Sequence, residues 1–183
     1  MPVGRSDPCH RRPPTPMKTL YVTKYISPRL RPLTLEEAAI RANAYALKEP
    51  APKALDAAAP AMAALIDGPC WLVPIPASNG TLQANAALAR RIAELVPGAR
   101  VKLAIARSQP VESSCARRRR GKAGLQPHEH HITRTVGPML PLPVYFVDNV
   151  ITTGNTLRAA QAALGWGDGL VYADASTRHY AQP

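Results

Sequence analysis

The 183 residues are 46% hydrophobic, enough for one packed core, and set 23 basic against 12 acidic side chains for a formal charge of +11. No apolar run reaches membrane-span length, the amino terminus lacks the apolar core of a secretory signal, and Cys9, Cys70 and Cys115 are odd in number and without metal-ligand spacing. A disulfide-stapled secreted scaffold and a helical membrane span are therefore not expected, and a reduced, cytoplasmic protein is. Aromatic residues make up only 5% of the chain, so packing must rely on Ala, Leu, Val and Ile, as where helices lie closely on a sheet.

Residues 1–16 are rich in Pro and Arg without periodicity and read as a disordered lead-in, with Met17 opening the first element of a single domain over 17–183. Thr19 to Ile26 is β-branched and aromatic, predicting a strand. Leu33, Thr34 and Glu37 form a hydrophobic residue, cap and capping-box glutamate ahead of an Ala-rich amphipathic helix running to Lys48. After Pro50 and Pro52, a second helix is predicted over Lys53 to Ile66, bent or broken at Pro60 and closed by Gly68. Cys70 to Ile75 reads as a short buried strand, Leu82 to Leu95 as a helix and Val101 to Ala106 as another strand. Arg107 to Val136 has no sustained periodicity and is too long for a neutral connection, so it is expected to be functional or disordered. The alternation of strands and helices from Cys70 to Ala173 predicts an α/β fold, a parallel sheet with helices on both faces, whose ligands lie outside the strand carboxyl ends.

The segment Pro143 to Thr156, PVYFVDNVITTGNT, is the most informative. Val144 to Val147 is a continuous apolar run, as in a strand covered on both faces, and Asp148 and Asn149 sit at its carboxyl end. Thr152, Thr153, Gly154, Asn155 and Thr156 follow, and Leu157 to Leu164 is rich in helix formers. A small, hydroxyl-rich turn at a helix amino terminus offers backbone N–H groups and a favourable dipole to a phosphate. An acid just before it suits ribose hydroxyls or a magnesium ion.

In this context the segment resembles the binding motif for phosphoribosyl pyrophosphate (PRPP) of type I phosphoribosyltransferases: an apolar strand, two acids, two apolar residues, then T-T-G-x-T. The resemblance covers about 70–175 and implies that fold. Asp148 matches the first acid and Thr152 to Thr156 match the loop that holds the 5-phosphate. Asn149 stands where the family usually has a second acid, a departure shared with uracil phosphoribosyltransferases. The turn after the first core strand, here Pro76, Ala77, Ser78, Asn79, Gly80 and Thr81, is implied to take pyrophosphate, although the basic residue often found there is absent; a plain turn with a Thr81 cap is the alternative. The PIPAS turn and the helix carrying Gln83 and Asn85 are more weakly similar to the competence-associated subgroup, without its R-G-F-N-Q or its zinc-type cysteines.

The resemblance further implies displacement at the anomeric carbon of PRPP by a nitrogen nucleophile, with release of pyrophosphate and with Mg2+ carried by PRPP and by Asp148. Asp148 and Asn149 would face the ribose. The loop holding Arg117, Arg118, Arg119, Arg120, Lys122 and Arg134 falls where the family has a mobile flap over pyrophosphate; the same run also reads as a nucleic-acid patch or a solvated charge cluster. His128, His130 and His131 with Glu129 are candidates for a metal or for a substrate base, with no template spacing. The acceptor would be chosen by Asp174 to Tyr180, where His179 or Tyr180 could stack on a base, or by the elements from Met17 to Ile66. A PRPP-sensing protein without turnover and a nucleic-acid-associated protein stay open beside the enzyme, and the family allows a homodimer.

Overall fold

The computed structural model describes residues 16–176, so the expectations for residues 1–15, His179 and Tyr180 lie outside the described residues. Its centre is a five-stranded sheet in the order β1 (Thr19–Lys24), β7 (Asp168–Asp174), β6 (Val144–Ile151), β2 (Trp71–Pro74), β3 (Arg100–Val101), all neighbours pairing in parallel. A parallel sheet must bury both faces. Helices α1 (Leu35–Ala46), α2 (Pro52–Ala63) and α3 (Gln83–Ala93) cover one face, where Leu47, Met62, Leu88 and Ile92 meet Leu72, Val147 and Leu170. Helix α5 (Asn155–Leu164) covers the other, where Leu157, Ala160 and Leu164 meet Val73, Phe146 and Val171. The predicted α/β architecture with helices on both faces is therefore present.

Local chemistry explains most element ends. Thr34 Oγ1 accepts the Glu37 N–H at 3.2 Å while Glu37 accepts the Thr34 N–H at 2.9 Å, the expected capping box for α1. Helix α2 starts at Pro52, whose missing donor is harmless in a first turn, and it runs through Pro60 to Ala63, so of the bend or break expected there the break does not occur. Pro74 is tolerated beside the middle of the sheet for a related reason. The N–H groups of Trp71 and Ile75 bond toward β6, at 2.8 Å to the Pro143 carbonyl and 3.0 Å to that of Val147. Pro74, out of phase with them, turns its donorless nitrogen toward β3, where pairing has already stopped at Leu72 and Val101.

The strand expected over Val101 to Ala106 is divided. Only Arg100–Val101 joins the parallel sheet, while β4 (Ile105–Arg107) turns away to pair antiparallel with β5 (Ile132–Arg134). The intervening segment, expected to lack regular structure, contains α4 (Ser114–Arg119), capped by Ser113, and a 3-10 turn over Pro127–His130. Ala104 and Ile105 enter the core on the α5 side, so the hairpin is rooted in the domain. No helix among the described residues is long and apolar enough to cross a membrane.

Candidate functional site

Strands β2, β6, β7 and β1 deliver their carboxyl ends to one edge, and Asp148 stands on β6 at that edge, opposite Val171. Its Oδ1 accepts the Asn149 backbone N–H at 2.8 Å and the Asn85 side-chain amide at 3.1 Å. Asn85, buried on the first turn of α3, also donates to the Ile75 carbonyl at 2.9 Å, tying the acid to the end of β2. Burial raises the Asp148 carboxyl to about 6, and the hydrogen bonds from Asn149 and Asn85 and the charges of Lys48 and Arg107 limit the rise. Asn149 faces elsewhere. Its amide donates to the Ala44 carbonyl at 3.1 Å, clamping α1 to the strand end. An acid in its place would set a carboxylate against a carbonyl oxygen, which is a local reason for the amide.

Beyond β6 the turn over Thr152 to Gly154 leads into α5. Gly154 occupies the N-cap with φ 76°, and a Cβ there would meet Arg158 Nη1 at 3.2 Å. The N–H groups of Thr152, Thr153 and Gly154 make no hydrogen bond among the described residues, and the Thr152 hydroxyl is likewise uncommitted. Thr153 Oγ1 accepts a long bond of 3.4 Å from the Asn155 N–H. Asn155 is buried and structural: its amide donates to the Leu125 carbonyl at 2.5 Å and its Oδ1 accepts from Arg158. Arg158 also donates to the Thr153 carbonyl at 2.8 Å, placing a guanidinium over the turn. The Thr156 hydroxyl lies 3.5 Å from His130 Nδ1. The expected anion-binding turn thus has its donors open, with Asn155 serving as its support.

The turn from Pro76 to Thr81 is more committed. Ala77 N–H bonds the Thr81 carbonyl and Gly80 N–H the Ala77 carbonyl, at 2.8 and 2.9 Å, and Thr81 gives its N–H and hydroxyl to Asn79 Oδ1 at 3.1 and 2.8 Å. Thr81 does not cap α3, whose N-cap is Leu82. The N–H groups of Ser78 and Asn79 and the Ser78 hydroxyl stay uncommitted among the described residues. The cation missing from this turn comes from β4. Arg107 donates to the Ala77 carbonyl at 2.9 Å, to Pro76 at 3.3 Å and to the His130 carbonyl, while Val111 N–H donates to Ser78 at 2.8 Å. The hairpin and the turn are therefore one unit. Burial lowers the Arg107 pKa, and the Asp148 charge opposes that shift.

The basic run is divided. Glu112 lies 3.9 Å from Arg117, 3.1 Å from Arg120 and 3.6 Å from Lys122. Arg118 and Arg119 are exposed and form no ion pair among the described residues. Arg134 belongs elsewhere, bonding Val136 and Gly137 and stacking 5.7 Å over Trp166. The histidines do not converge. Burial first, then the nearby Arg107 charge, depresses His130 to about 4, whereas His128 is exposed and His131 takes a left-handed backbone, φ 51°. Among the described residues no group of three or more His, Cys, Asp or Glu side chains could hold a metal ion. Two acids stand at the edge, Asp148 on β6 and Asp174 at the end of β7, the latter accepting the Ser176 N–H at 2.8 Å; so few protein oxygens suit a magnesium ion only when most of its ligands come with a substrate.

Asp148, the open Thr152 to Gly154 turn and the Pro76 to Thr81 turn lie on the same carboxyl edge. Sequence reasoning missed Arg107, taken as the start of a loop, along with Lys48, His130 as a support, and Arg158. Arg158 alone had a usable local signal, a cation in the first turn of the helix after the glycine. Two surface depressions, of about 380 and 200 Å³, lie at the opposite ends of the strands, beside Gly68 and Pro97 and beside Val144 and Asp168. The sequence matches no family model and no curated protein.

Proposed function

We propose that this protein is a phosphoribosyltransferase that binds PRPP with magnesium and transfers ribose 5-phosphate to a nitrogen nucleophile. The single observation that carries the reading is the turn from Thr152 to Gly154, with backbone donors open at the start of a helix that directly follows Asp148. The phosphate would accept from those N–H groups and the Thr152 hydroxyl, and Arg158 would swing from the Thr153 carbonyl to the anion. Ser78 and Asn79 offer N–H groups to the pyrophosphate, beside the Arg107 charge. As the bond from the anomeric carbon to pyrophosphate breaks, the electron pair leaves with pyrophosphate, the nitrogen bonds the carbon, and the nitrogen's proton passes to solvent. Ionised Asp148 would stabilise the positive sugar between these states. Bound magnesium would neutralise pyrophosphate charge, with Asp148 as its protein ligand.

Thermal unfolding with and without PRPP and magnesium, followed by a pyrophosphate-release screen across nitrogen acceptors, tests this reading. Stabilisation with release is the expected result; no stabilisation at saturating PRPP would overturn it. A PRPP sensor without turnover is the second reading, favoured by the Asn149 amide being spent on Ala44, and it predicts stabilisation without release for every acceptor. Binding to nucleic acid through exposed Arg118 and Arg119 would instead show a steep loss of affinity with salt.

A further inference from the structure

We propose that the carboxyl-terminal turn of α1 forms the acceptor subsite and that the acceptor is a planar nitrogen heterocycle bearing a carboxylate. The inference rests on the phosphoribosyl-transfer reading above and adds the chemical class of the second substrate. Its location follows from the Asn149 clamp on Ala44, which brings the next residue, Tyr45, and the following turn to the edge where Asp148 stands. Lys48 is close enough for its charge to act on the Asp148 carboxyl.

The chemistry of the face is specific. Tyr45 is 46% exposed, a large ring left at the surface of a chain poor in aromatics. The Arg41 guanidinium lies 5.1 Å from its ring centroid and the Lys48 ammonium 4.8 Å. Arg41 Nε also donates to the Tyr25 hydroxyl at 3.3 Å, and Tyr25 follows β1 on the same edge, its N–H bonded to the Asp174 carbonyl at 2.8 Å. The guanidinium is thus held between elements rather than left to wander on one helix. Neither Arg41 nor Lys48 forms an ion pair among the described residues, in contrast to Arg31, Arg91 and Arg120.

Arg41 and Lys48 each lie on the Tyr45 ring without an ion pair among the described residues, and a bound carboxylate would meet that positive charge while gaining charge-assisted hydrogen bonds. A neutral base would offer no such partner. The phosphates of PRPP do not meet this demand, because the phosphate turns lie after β6 and β2 while this cluster lies toward β7 and β1. A flat ring carrying the carboxylate can contact the exposed Tyr45 ring, directing a ring nitrogen toward the sugar held at Asp148.

The test uses the full chain and two matched probe pairs, nicotinate with nicotinamide and orotate with uracil. PRPP binding with magnesium is measured first by calorimetry, then binding of each probe to the PRPP-loaded protein. The expected result is that an acidic probe binds at least about tenfold more tightly than its neutral partner, and that Arg41→Ala with Lys48→Ala removes the preference in protein saturated with PRPP. Arg41→Lys with Lys48→Arg, which keeps both charges, should restore much of it and guards against a folding defect. Equal binding of acidic and neutral probes, or a preference that survives the double alanine variant, overturns the acceptor assignment alone. Failure to bind PRPP at all overturns the phosphoribosyl-transfer reading and the acceptor assignment with it.

Discussion

Asp148 and His130 are tuned in opposite directions by burial, and both shifts have measurable consequences. The folded Asp148 carboxyl titrates at about 6 against an ordinary 3.8, so as pH rises from about 4 to 6 the unfolded chain releases its proton first and stability falls. His130 titrates at about 4 against 6.5, so as pH falls from 6.5 to 4 the unfolded chain takes up a proton first and stability again falls. The two slopes oppose each other between pH 4 and 6. In Asp148→Asn the opposing slope is gone, and His130 should then add up to about 3 kcal/mol of stability between pH 4 and 6.5, a change that urea unfolding would read. A flat profile in that variant would mean that His130 is not held neutral in the fold. The same substitution should abolish pyrophosphate release, and in the native protein kcat/KM should fall below pH about 6 as Asp148 takes a proton. Asn149→Asp should lower thermal stability by breaking the bond to Ala44; an unchanged Tm would remove the clamp from the account. The acid of this pair was legible because its whole motif is local. The amide's partner was not, since Ala44 is 105 residues distant in sequence.

At the scale of elements, the site depends on how a strand gives way to a helix. Gly154 has φ 76°, which a side-chain-bearing residue rarely adopts, and a Cβ would press on Arg158 and Ile151. Gly154→Val should therefore weaken PRPP binding by at least about tenfold, as calorimetry would show, and native affinity in the variant would detach the turn from phosphate. The hairpin of β4 and β5 makes a second dependence. Arg107→Ala removes donors from the Pro76, Ala77 and His130 carbonyls together, and a loss of about 1–3 kcal/mol in urea unfolding is expected. Unchanged stability would mean that the turn holds its shape without the hairpin. The capping box of α1 was readable because Thr34 and Glu37 share one turn. The division between β3 and β4 was not, because 101–106 reads as one run and the strand that draws β4 away, β5, begins only at Ile132. Pro60 was expected to bend or break α2, yet the helix runs on to Ala63, where tertiary packing of Ala58, Ala59 and Met62 outweighs the lost backbone bond.

For the whole molecule, ligand binding and folding are one equilibrium. PRPP at about 100 times its dissociation constant should stabilise the domain by roughly 2.7 kcal/mol, or roughly 5 to 10 °C in Tm for a chain of this size. The sequence by itself determined the alternation of strands and helices, the apolar run that became the central strand, and the strand, turn and helix around Asp148, because periodicity, capping and turn chemistry act over a few residues. Only the tertiary structure decided that Asn85 holds Asp148 across 63 residues, that Arg107 supplies the charge missing from the Pro76 turn, and that α1 brings Arg41, Tyr45 and Lys48 to the same edge. These partners are chosen by sheet order and strand register, in which β6 lies between β2 and β7 although α5 separates it from β7 in sequence and residues 75–143 separate it from β2. No local pattern encodes that order; it follows from burying both faces of the parallel sheet at once.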